Sequence, residues 1–190
     1  MAAGSRLIGM HIPARLVGLL LAGACAGARA SSAQPPIPKS QVATVIQQVA
    51  GTRIEILYHR PVARGRTLFG ELVKWGRVWS PSADSAARMT ISTPIAINGS
   101  VLPAGTYGLW AIPDSTSWIV IFNSSAAAFH LRYPEGHDVL RLLVTPQRGE
   151  HVESLMFAFP LVDADSAVMQ LRWGTTIVPL TIRALADGAR

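Results

Sequence analysis

The chain has 190 residues, of which 49% are hydrophobic and 15% charged, and it carries a single cysteine. That much apolar surface excludes disorder, and one cysteine excludes both a disulfide scaffold and a cysteine-rich zinc site. The net charge of +6 falls to +3 when Arg6, Arg15 and Arg29 are set aside, leaving 14 basic against 11 acidic residues, so the clustered basic surface of a nucleic-acid binder is excluded as well.

Residues 1–30 read as an export signal. Arg6, His11 and Arg15 precede the apolar run from Leu16 to Ala24, which is too short to span a bilayer but has the length of a signal-peptide core. Two cleavage points compete. Ala28-Arg29-Ala30 before Ser31 offers small residues at the positions a signal peptidase reads, and Ala22-Gly23-Ala24-Cys25 offers a lipoprotein site at which Cys25 would carry lipid. Both place the mature protein outside the cytoplasm, periplasmic or extracellular, with membrane attachment only if Cys25 is acylated. Ser31 to Ser40 holds three prolines and no periodic pattern, the composition of an extended linker.

From Gln41 onward the pattern is that of short strands. Gln41–Ala50 alternates, Gly51-Thr52 turns, and Arg53–His59 alternates again. Leu68–Trp75 is the one helical candidate, a short turn between strands. Met89–Thr93 and Ile95–Ile97 are rich in β-branched residues, and Asn98-Gly99 is the dipeptide that best tolerates two consecutive positive φ angles in a hairpin. Strands are expected over 106–112, 117–123, 138–145, 151–159, 167–173 and 175–183, with a hairpin at Trp173-Gly174 and a flexible tail over 186–190. Turns at this spacing, without a long amphipathic helix, predict a single antiparallel β-sandwich over 41–185 and exclude a βαβ nucleotide-binding fold.

The segments Tyr58-His59-Arg60-Pro61, Gly65-Arg66, Phe69-Gly70-Glu71-Leu72-Val73 and Gly76-Arg77-Val78-Trp79 occur in the order found in the domain-of-unknown-function 2911 family. They are followed by Asn98-Gly99, Leu102 to Tyr107, Ile112-Pro113 and Trp118 to Asn123. The chain resembles that family from about Ser40 to Arg183. The resemblance implies an exported, all-β protein of bacterial envelopes and no established reaction. Many relatives carry an Arg followed by Gly-Ala-Asn-Glu after Trp79, where this chain has Ser80-Pro81-Ser82-Ala83-Asp84-Ser85.

The stretch from His59 to Asp84 concentrates Arg60, Arg64, Arg66, Lys74 and Arg77 beside one acid, Glu71, with Trp75 and Trp79 interleaved. Guanidinium groups grip carboxylates and phosphates with two parallel donors, and indoles offer flat faces to sugars or cations. His59, Arg60, Arg66, Trp75, Trp79 and Asp84 are therefore the candidate ligand-binding residues. The competing structural role for the same side chains is to hold loop carbonyls and plug the end of the core.

His130, His137, His151 and Asp138 lack the tight spacing of a metal motif, and Asp163 and Asp165 are too few for a calcium loop. No metal, cofactor or catalytic residue is expected. The expected function is a non-catalytic envelope module that binds a small anionic or glycan ligand or a partner protein. The alternatives are an exported hydrolase using His59 and Asp84, and a structural or assembly lipoprotein anchored through Cys25.

Overall fold

The computed structural model describes Met1, Ile37 and residues 39–185, and the strands all belong to the unit that begins at Ile37. The leader with Cys25 and both cleavage points, most of the linker, and the 186–190 tail lie outside the described residues.

Ten strands form two antiparallel sheets. The larger contains β1 (Gln41–Val49), β2 (Thr52–Arg60), β3 (Ala87–Ile91), β6 (Gly105–Pro113), β7 (Trp118–Asn123) and β8 (Asp138–Val144), in that spatial order. The smaller runs β5 (Ser100–Leu102), β4 (Ile95–Ile97), β10 (Ser166–Ala184) and β9 (Gln147–Val162). The all-β sandwich read from the sequence is the observed fold.

Alternation sets the layers. In β2, Ile54, Ile56 and Tyr58 are buried while Arg53, Glu55, Leu57 and His59 take the opposite face, as a two-residue period demands. The buried face meets Met89, Leu109 and Phe122 of its own sheet and Leu155, Phe157, Met169 and Ile182 of the smaller one in a single core. Tyr58 crosses that core: its ring lies edge-on to Phe157 at 4.9 Å, and its hydroxyl accepts the Phe157 backbone N–H. The Asn98-Gly99 hairpin forms as expected, with φ of 48° and 83° at its two residues.

Two local expectations differ from the structure. Leu68–Trp75 forms consecutive turns, and no helix occurs among the described residues. The Val73 N–H reaches back to the Leu68 carbonyl at 2.8 Å, while the Gly70 N–H bonds the Val73 carbonyl. Only Leu68 and Val73 of this segment are buried, while Leu72 and Trp75 are exposed. Trp173-Gly174 is likewise not a hairpin. β10 runs unbroken from Ser166 to Ala184, and the register slips on both sides of Gly174. Gly174 has φ of 57°, and a Cβ there would lie 2.8 Å from Leu68 Cδ1. Glycine therefore serves as a bulge that lets the 61–86 connector seat against the strand.

Candidate functional site

The connector between β2 and β3, residues 61–86, closes one end of the sandwich. Its backbone is fastened at many points, as an ordered irregular segment requires. Ala63 N–H bonds the Glu153 carbonyl at 2.8 Å, and Arg64 N–H bonds the Glu153 carboxylate at 2.6 Å. Gly76 N–H reaches the Pro113 carbonyl, and Trp79 exchanges two backbone hydrogen bonds with Ala111, each 2.8 Å. Trp79 thus continues the pairing along β6 past the end of β3. Ser80 completes the fastening by accepting from Ala87 N–H and donating to the Leu109 carbonyl.

This path gathers aromatic rings around Phe69. Trp118 lies edge-on to it at 4.9 Å, Trp79 at 5.9 Å and Trp173 at 6.1 Å, while Trp75 stacks on it at 6.1 Å. Trp79 and Trp173 are nearly parallel, 6.0 Å apart. Burial divides the set. Trp118 and Trp173 are enclosed, whereas Trp75 is 42% exposed and forms the open end of the cluster. Gly70 makes that placement possible, because a Cβ there would come within 2.7 Å of Trp75 Nε1.

A cleft of about 440 Å³ opens beside this cluster. Arg66, Phe69, Trp75, Arg148, His151 and Trp173 supply its rings and charges, and Thr175 and Thr176 its hydroxyls; among the described residues no acid lines it. Arg66 is held in place by its own loop, with Nε donating to the Ala63 carbonyl at 2.9 Å and one terminal nitrogen to the Val62 carbonyl at 2.6 Å. Three of the five guanidinium N–H donors remain for other partners. Arg148, opposite Thr176 in the β9–β10 register, forms no ion pair or side-chain hydrogen bond among the described residues. His151 Nε2 lies 3.0 Å from Glu153 Oε2. That contact, followed by the Arg64 N–H, holds the Glu153 carboxyl below the usual carboxylate range.

Residues 40–182 match the family described as protein of unknown function (DUF2911). The chain belongs to this family. No curated protein and no solved structure matches it.

In this DUF2911 chain, the six residues singled out from the sequence fall into three groups. Arg66 and Trp75 line the cleft, and Trp79 lines an adjoining cavity that also contains Arg66. Arg60 instead spans the two sheets, its Nε donating to the Leu155 carbonyl at 3.2 Å. His59 and Asp84 lie together, with His59 Nδ1 3.5 Å from Asp84 Oδ2 and 3.4 Å from the Ser40 carbonyl oxygen, outside the lining of both cavities.

Sequence reasoning missed Arg148, Phe69, Trp173, Thr175 and Thr176, and weighed His151 only as a metal ligand. Among the described residues no three His, Cys, Asp or Glu side chains are grouped as a metal site would need. Asp138 pairs with Arg141 at 2.7 Å rather than with His137, and Asp165 pairs with Arg183 at 2.7 Å.

Proposed function

We propose that this DUF2911 protein is an exported, non-catalytic module whose end cleft binds a small anionic sugar. One observation carries the reading. An exposed indole, Trp75, and two guanidinium groups, Arg66 and Arg148, line one cleft of about 440 Å³ that has no acid in its lining among the described residues. An indole face suits the apolar side of a pyranose ring, and the guanidinium groups suit a carboxylate or sulfate. Arg66, held by two backbone carbonyls, loses little freedom on binding, which favours affinity. Export is supported by the leader, in which basic residues, a short apolar core and Ala28-Arg29-Ala30 follow one another. Intact-mass measurement of the exported protein distinguishes a mature N-terminus at Ser31 from a lipid-bearing one at Cys25, the state a membrane-anchored assembly role requires.

Calorimetric titration of the mature protein with galacturonate tests the binding reading. Saturable binding that weakens with salt and is lost in Trp75→Ala is the expected result. Absence of heat with galacturonate and with its sulfated counterparts rejects it.

A second reading, an exported hydrolase, draws on the His59–Asp84 pair. Ser82, two residues before Asp84, is buried; its oxygen accepts the His59 backbone N–H at 2.9 Å. A screen over ester, phosphate and glycoside substrates, repeated with His59→Ala, tests this reading. A flat response removes it.

A further inference from the structure

The cleft is not isolated. A cavity of about 400 Å³ adjoins it on one side and a smaller one of about 200 Å³ on the other. The first shares Arg66 and Trp173 with the cleft, and the second shares Trp75, Arg148, Thr175 and Thr176. The central cleft thus shares lining residues with each of the two hollows, which share none with one another. Trp173, only 3% exposed, lines both the central cleft and the 400 Å³ cavity, as does the exposed Arg66. Trp75 and Arg148 line both the central cleft and the 200 Å³ cavity.

Charge is graded across the three hollows. The 400 Å³ cavity contains Lys39, Arg64 and Arg66 and no acid, and the central cleft contains Arg66 and Arg148 and no acid. The 200 Å³ cavity contains Arg148 together with Asp114. Neither Lys39 nor Arg64 has a side-chain ion-pair partner among the described residues. A single acidic sugar in the central cleft would leave these two cations unused. A ligand with repeated anionic groups would engage both cavities at once, with its second contact made at high effective concentration. An indole lines each outer cavity, Trp79 the 400 Å³ one and Trp75 the 200 Å³ one.

Building on the acidic-sugar reading, we infer that the true ligand is a linear acidic oligosaccharide whose charged residues extend from the central cleft into the Lys39/Arg64 cavity. Its far end reaches the Asp114 cavity, where a free hydroxyl suits the local carboxylate better than a second anion does.

The test is calorimetry of the mature protein against galacturonate oligomers from the monomer to the hexamer, in wild type and in Arg64→Ala. Arg64 contributes its backbone N–H to Glu153, so removal of its side chain leaves the connector fastened. Affinity should rise at least tenfold from monomer to tetramer and then level off. Arg64→Ala should abolish most of that gain while leaving monomer binding unchanged. Binding that is independent of length but lost in Trp75→Ala would overturn the extended ligand and leave the acidic-sugar cleft standing. No binding by any oligomer would overturn both.

Discussion

The connector 61–86 and the loop 124–137 that precedes β8 combine arginine, aromatic rings and carboxylate, yet they use them in opposite ways. The 124–137 loop is anchored inward. Asp138 accepts hydrogen bonds from Asn123, Tyr133 and Arg141, and Tyr133 lies edge-on to the buried Trp110 at 5.3 Å. Trp110, Ile121 and Ala86 form a small second core beneath it, on the outer face of the larger sheet. The connector is fastened mainly through backbone groups, and Arg64, Lys74 and Arg77 have no ion-pair partner among the described residues. Where acid meets base, as at Asp138, the polar groups are consumed by folding. Where the backbone carries the load, the side chains remain for a ligand.

The largest expected effect follows from replacing one tryptophan in each region. Trp110→Ala removes a ring that is 1% exposed and should cost about 3–5 kcal/mol in denaturant unfolding. Trp75→Ala should cost about 1 kcal/mol or less and act on binding instead. Equal destabilisation by the two would erase the contrast.

Asp138 supplies the intermediate effect. Burial pushes its carboxyl up, but the hydrogen bonds from Tyr133, Asn123 and Arg141 outweigh burial and hold it below its ordinary value. A group depressed in the folded state stabilises fully above its unfolded value, about 3.9, and loses that contribution as acid titrates through the lower folded value. Asp138→Asn should therefore cost about 1–3 kcal/mol near neutrality and flatten the fall in urea midpoint below about pH 4. A variant whose acid profile matches wild type would place the acid sensitivity elsewhere.

The smallest effect sharpens the connector side. Arg148→Gln should lower acidic-sugar affinity about tenfold, the loss of one charge-assisted hydrogen bond, with the melting temperature unchanged. Arg77→Gln, which alters an exposed cation outside all three cavities, should change neither. If both substitutions weaken binding alike, attraction comes from diffuse charge rather than from the cleft.

Much of the fold is legible in the sequence because a two-residue period records burial directly. Arg53–His59 alternates, and Asn98-Gly99 dictates its own turn. The bulge at Gly174 is less legible, since a glycine after tryptophan at positive φ serves equally as a hairpin corner. The close approach that requires glycine there is made by Leu68, more than a hundred residues earlier in the chain. The site divides along the same line. Arg66, Trp75 and Trp79 lie in one connector and can be found by composition. Arg148 joins them only because β9 pairs with β10 in the register that sets it opposite Thr176, a pairing that no local pattern encodes.

Four of the five tryptophans, Trp75, Trp79, Trp118 and Trp173, belong to the Phe69 cluster. Indoles this close exchange excitation, and four fifths of the molecule's indole absorption lies at that one end of the sandwich. Any molecule settling over Trp75 alters a luminescence that the neighbouring rings share. The protein thus carries an intrinsic optical gauge of occupancy, readable without a label.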